Sequence, residues 1–199
     1  LSLGTIGTML GAVLAKIAMP EFAAYWKKKD IVSLDRLFKK VSRYNTYVML
    51  PIVLFIAVNV KPLLGLLGRQ YEDGTFIVSL LLLSSFFSAF VGPNGTLLNM
   101  SGKQGYEIFN GFAGMVSGVI LGILLGPKYD WGVAISVAVS TVVVNLLKFL
   151  EVGALYKIFP YTAKDLLYIF FWTITLLTSY VMVSTFSNRF IWMIMNVLI

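Results

Sequence analysis

Apolar stretches about twenty residues long, the length that crosses a bilayer, follow one another with little interruption along this chain. No other feature narrows its fold so far, because a water-soluble core has no use for such runs in series. The breaks between them are short and polar. Gly68-Arg69-Gln70-Tyr71-Glu72-Asp73-Gly74, Gly126-Pro127-Lys128-Tyr129-Asp130 and Pro160-Tyr161-Thr162 all have turn compositions. The pattern predicts membrane helices over Leu3–Trp26, Val41–Leu67, Thr75–Met100, Tyr106–Leu125, Gly132–Tyr156 and Lys164–Phe186, with a partial one from Arg189. The expected class is all-α: a polytopic transmembrane helix bundle of about six full spans plus a partial seventh, forming one domain over residues 1–199. Composition agrees, with 58% hydrophobic and 13% charged residues, where a soluble domain carries roughly 25% charged. The sequence starts at Leu1 and stops inside a short apolar run, Ile191–Ile199. We therefore expect a piece of a longer polypeptide, with residues 188–199 the truncated start of a further span.

The first connection differs from the others. Lys27-Lys28-Lys29-Asp30 leads into Leu34, Leu37, Phe38 and Val41, which recur at helical spacing. Residues 27–40 are expected to form a basic amphipathic connector at the membrane surface, capped by Ser33 and with Asp35 favoured near the positive end of the helix dipole. This connection also sets the orientation. Alternate loops collect Lys27, Lys28, Lys29, Arg36, Lys39, Lys40, Arg43, Lys103, Lys157 and Lys164 on one side. Only Lys61, Arg69, Lys128 and Arg189 fall on the other. The basic excess places the first loop in the cytoplasm and the chain in the cell membrane.

Cysteine and histidine are absent, which removes disulfides, thiolate chemistry and most zinc and haem sites. No metal, cofactor or catalytic residue is expected, and no carboxylate pair or P-loop offers chemistry. The net charge of +7 points to membrane lipids as partners of the basic loops, not to nucleic acid.

Within the spans a few residues stand out. Gly114, Gly118 and Gly122 recur every fourth position, as in close helix packing or a sliding face. Pro20, Pro51 and the Gly92-Pro93 pair are expected to kink their helices or act as hinges. A break at Gly92-Pro93 frees carbonyls, which is tolerated at membrane depth where protein or a wet cavity covers them. Lys16, Lys148 and Glu151 are charges in apolar surroundings and candidate cavity residues, together with Asn99. Lys148 and Glu151, three apart, can pair on one helical face. Glu107 and Lys61, near span ends, read as snorkelling side chains. Lys16 is open between snorkelling and a cavity.

The order of these marks resembles the second half of polysaccharide-biosynthesis flippases. Pro20 ends the first span and Asp30 begins the next element. Leu50-Pro51 leads a span that closes in Leu63-Leu64-Gly65-Leu66-Leu67-Gly68-Arg69-Gln70-Tyr71. Gly92-Pro93 is followed by Leu97-Leu98-Asn99-Met100-Ser101-Gly102-Lys103, and Gly126-Pro127-Lys128-Tyr129-Asp130-Trp131-Gly132 precedes a small-residue helix. The likeness covers roughly Leu1 to Lys164. It implies the superfamily that joins O-antigen and lipid II flippases with MATE drug/cation antiporters, whose members fold as two six-helix lobes around a central cavity. On that resemblance the chain is the second lobe of a MATE-like transporter, lacking its first helix, and its partner is the N-terminal lobe of the same polypeptide. The implied substrate is an isoprenoid-diphosphate-linked oligosaccharide, moved across the membrane without covalent chemistry, with Lys16 and Lys148 as plausible contacts for the diphosphate. Three rivals remain: a MATE-type antiporter with Glu151 as coupling carboxylate, a membrane-embedded transferase, and a non-transporting scaffold.

Overall fold

A computed structural model describes residues 2–185; the expected partial span from Arg189 lies outside the described residues. Every regular element among them is helical: α1 (Ser2–Lys27), α2 (Ile31–Leu67), a 3-10 turn (Arg69–Gly74), α3 (Thr75–Phe90), α4 (Asn94–Met100), α5 (Gln104–Leu125), α6 (Gly132–Tyr156) and α7 (Ala163–Thr185). Four helical stretches among the described residues are long and apolar enough to cross a membrane: Ile31–Leu67, Arg69–Phe90, Gln104–Leu125 and Gly132–Tyr156. Their outward faces carry large exposed apolar side chains, among them Ile108, Phe112, Ile123 and Val133. Water would penalise such a surface, and hydrocarbon does not.

Two departures from the sequence reading concern α2. Its cap is Asp30, whose Oδ1 accepts the Ser33 N–H at 3.0 Å, so Ser33 lies inside the first turn. The connector and the second span also form one helix of 37 residues, about 55 Å long at helical rise. The stripe of Leu34, Phe38 and Val41 faces the protein interior. It is buried against Phe22 and Ala18 of α1, Leu97 and Leu98 of α4, and Val152 of α6. Packing of apolar side chains into a protein core takes the stripe away from lipid, and leaves the basic residues on the outside of the turn.

This core also orders the helix ends. The C-terminal ends of α1, α4 and α6 meet the N-terminal part of α2, with Trp26 and Tyr156 edge to face at 5.5 Å. A second cluster, Ile56, Val60, Leu64 and Leu82, gathers the other end of α2 with α3, and Met49, Val53 and Ala89 lie between the two. The loops that alternate in sequence therefore alternate in space.

The glycines of α5 face α6. A methyl group on Gly114 would come within 2.3 Å of Val144, one on Gly118 within 3.4 Å of Ser140, and one on Gly122 within 3.6 Å of Ser136. Ser140 Oγ donates to the Gly114 carbonyl at 2.7 Å. The stripe is a close helix contact, tightest at Gly114.

The prolines behave unequally. At Gly92-Pro93 the helix breaks into α3 and α4, with Gly92 at φ +85°. At Pro51 the helix continues without a dihedral break. The one non-helical residue inside α2 is Asn59, three positions before Pro62. α1 likewise runs on through Pro20. The helix is unbroken at Pro51 and Pro20, and the break in helical dihedrals within α2 falls at Asn59. Pro62 has no N–H for the Val58 carbonyl; at the kink itself the Asn59 side chain donates to a different carbonyl, Phe55 O, at 2.9 Å.

Candidate functional site

The break at Gly92-Pro93 organises a cavity of about 300 Å³ between α1, α2, α3, α4, α5 and α6. A proline deprives the carbonyl four residues earlier of its helical partner. Pro93 frees Ala89 O, and Asn45 of α2 donates to it at 3.2 Å. Tyr161 donates to Phe90 O, and Asn94 to Val91 O at 2.7 Å. Side chains from neighbouring elements thus satisfy a run of freed carbonyls, and the break is held open. Gly92 is required there twice over: its φ is in the left-handed region, and a Cβ would stand 2.4 Å from Ser42 Oγ.

The wall is polar. Asn45, Ser88, Thr96, Asn99 and Asn145 contribute amides and hydroxyls, while Gly11, Ala12 and Ala15 of α1 leave room. Among the described residues that line the wall, the acidic and basic side chains are Glu107 and Lys148. They form an ion pair across α6 and α5, Nζ to Oε1, at 2.5 Å. Gly95 makes space for it, since a methyl there would stand 3.0 Å from either Glu107 oxygen and 3.2 Å from Lys148 Nζ. Two acceptors on cavity-lining residues, Glu107 Oε2 and Asn45 Oδ1, are buried without a hydrogen-bond partner. An unpaired buried acceptor is costly, so this wall favours a guest that donates hydrogen bonds.

The sequence-expected residues separate. Lys148 and Asn99 line the cavity. Lys148 and Glu151 do not pair with each other, which corrects the expected contact along one helix. Lys148 takes Glu107, and Glu151 Oε2 accepts from Asn110 at 2.6 Å. The reason is register: Glu107 and Asn110 on α5 repeat the three-residue spacing of Lys148 and Glu151 on α6. Glu107 is therefore turned inward, not snorkelling as its place near a span end implied. Glu151 lines a separate hollow of about 450 Å³ beside Lys103, Tyr106 and Phe109. Lys16 is exposed and stands outside the cavity wall, next to Ala15 but about 100° further round the helix. Lys61 is near Glu72 at 3.8 Å. Sequence reasoning missed Asn45, Asn145 and Glu107 as cavity residues. The matched spacing of 107/110 and 148/151 was the available signal for the last.

A second polar cluster fastens α7 to α2. Asp165 is buried and accepts from Arg43 Nε at 3.0 Å, Tyr47 OH at 2.6 Å and Thr162 N at 2.7 Å. Tyr161, in the loop before α7, is also hydrogen-bonded to Thr46, and burial raises its phenol pKa. Among the described residues no group of three or more acidic, cysteine or histidine side chains is placed to hold a metal ion. The fold and cavity define an all-helical protein with membrane-crossing potential and a polar interior site. Beyond that class, no family model, no curated protein and no solved structure matches this chain.

Proposed function

We propose that the chain is one half of a multi-pass cell-membrane transporter that moves an isoprenoid-diphosphate-linked oligosaccharide across the bilayer. The observation that carries this reading is the polar cavity at the α3–α4 break, set among helices whose outer faces are apolar. A cavity with unpaired acceptors and several amides offers partners to sugar hydroxyls, which are donors as well as acceptors. Lys148 supplies the cationic group that a diphosphate needs to leave water, and in this reading it exchanges Glu107 for the substrate. The rest of the cavity belongs to the N-terminal lobe, in line with the flippase resemblance. α1 and α7 complete a set of six spans, and the Lys27–Arg43 region is cytoplasmic. No covalent chemistry and no cofactor are involved.

The test is export of lipid-linked glycan by the full-length protein. Lys148→Ala should lower it at least tenfold, while Lys148→Arg retains most of it because charge is the requirement. Lys16→Ala, run in parallel, separates the cavity lysine from the exposed one. Wild-type export by Lys148→Ala at equal protein level would sink the proposal.

One observation favours a second reading, a cation-coupled antiporter. The Oε2 of Glu107 is buried without a hydrogen-bond partner while Oε1 holds Lys148, which leaves an acceptor free for a coupling cation. Transport that collapses with the pH gradient and is lost in Glu107→Gln distinguishes this reading from gradient-independent flipping.

A further inference from the structure

The turn between α1 and α2 leaves a notch of about 150 Å³ lined by Glu21, Tyr25, Ser33, Arg36, Leu37 and Lys40. Ser33, Arg36, Leu37 and Lys40 share one face of α2 by helical spacing, and Glu21 and Tyr25 share one face of α1. Neither Arg36 nor Lys40 forms an ion pair among the described residues, whereas the neighbouring Lys39 is held by Asp35 at 2.7 Å and Arg43 by Asp165 at 3.0 Å. Two cations without an ion pair thus flank the Tyr25 hydroxyl, while the Ser33 hydroxyl is held by Asp30. The same faces continue toward the middle of the bundle as an apolar track. On α2 the residues four and eight beyond Lys40 are Tyr44 and Val48, 54% and 47% exposed. On α1 the residues four and eight before Glu21 are Ile17 and Val13, 70% and 54% exposed.

A polar notch with positive charge that opens onto an apolar track has the shape of one lipid molecule. We infer that the notch binds the head group of an anionic phospholipid of the same leaflet, with an acyl chain along Ile17, Val13, Tyr44 and Val48. Arg36 and Lys40 take the phosphodiester, Arg36 through its planar fork, and the Tyr25 hydroxyl completes the oxygen contacts. Glu21 accepts hydrogen bonds from the head group, so a glycerol head group fits better than a bare phosphate. The site is separate from the cavity, and its occupancy is independent of what the cavity carries.

The experiment is native mass spectrometry of the full-length protein from phosphatidylcholine nanodiscs doped with phosphatidylglycerol, phosphatidic acid or neither, and with inorganic phosphate as competitor. Phosphatidylglycerol should be retained saturably and in preference to phosphatidylcholine and phosphatidic acid, and inorganic phosphate should not displace it. Arg36→Gln with Lys40→Gln should weaken retention about 30-fold, from roughly fivefold per basic residue at a membrane surface. Lys28→Gln with Lys29→Gln removes the same charge outside the notch and should leave most of the retention. Where the notch double variant does not fold, Lys40→Gln alone should cost about fivefold. Equal losses from both pairs would show diffuse surface attraction and overturn the site. Displacement by inorganic phosphate would overturn the lipid as its occupant, and retention unchanged in the notch variants would overturn both.

Discussion

Gly114 shows how much one missing carbon can decide. In lipid there is little hydrophobic drive to bring α5 onto α6, so packing distance and interhelical hydrogen bonds must supply the association. Ser140 Oγ reaches the Gly114 carbonyl at 2.7 Å, and the stiff Val144 side chain closes over the same point. A methyl on Gly114 would overlap Val144, with only 2.3 Å between carbons, whereas one on Gly122 would sit in ordinary contact at 3.6 Å. Gly114→Ala should therefore destabilise the protein by about 1–3 kcal/mol, the usual cost of overpacking. Gly122→Ala should be near neutral. Thermal unfolding of the two variants in detergent checks this, and equal melting temperatures would mean that the helices part easily. The stripe itself was legible in sequence because glycine at every fourth residue has a direct geometric meaning. Its partner was not, since Ser136, Ser140 and Val144 are unremarkable until α6 is placed opposite. The same holds for Glu107: its charge was visible, but its direction depended on the register of two helices.

At the scale of elements, the prolines are best understood by asking who takes the carbonyl each one frees. Pro51 frees Tyr47 O, and Tyr168 of α7 donates to it at 3.3 Å, so the carbonyl keeps a partner and α2 runs on unbroken there. Pro93 frees Ala89 O, and Asn45 takes it, but Gly92 lets the chain turn and the helix divides. Composition foretold the second outcome through the Gly-Pro-Asn-Gly cluster. It could not foretell the first, which rests on a residue 121 positions away. The start of α2 makes a local prediction. Asp30 is held below the ordinary carboxylate value of 3.8 by hydrogen bonds from Ser33, first its side chain and then its backbone N–H. A carboxylate with a depressed folded pKa contributes its stability above the unfolded value and loses it as pH falls through the folded one. Amide protection at Ile31–Ser33, corrected for intrinsic exchange, should thus weaken below pH 3.8. In Asp30→Asn, which caps without a charge, it should stay level; an equal loss in both would assign the effect to another group.

For the whole molecule, in the proposed membrane arrangement, the question is which end faces the cytoplasm. The structure brings the C-terminal ends of α1, α4 and α6 together with the N-terminal part of α2 in one cluster. That end of the bundle, helix termini and loops together, carries Lys27, Lys28, Lys29, Arg36, Lys40 and Lys157. That convergence matters because the positive-inside rule is applied loop by loop, and a wrong helix count shifts every later loop to the other side. Here the grouping by alternation and the grouping in space agree, and the connector's apolar stripe packs into the protein core. A basic end of this density prefers the anionic cytoplasmic leaflet, and moving it across the bilayer would expose several unpaired lysines to hydrocarbon. A cysteine at Lys28 should therefore resist an impermeant maleimide in intact cells and react once the membrane is permeabilised. One at Lys128, in the turn between α5 and α6, should react in intact cells. The two positions must give opposite results, because an odd number of crossings separates them in this arrangement. Labelling of Lys28→Cys alone in intact cells would reverse the orientation. Labelling of both would mean that one of the intervening helices does not cross, and the proposed set of spans would have to be redrawn.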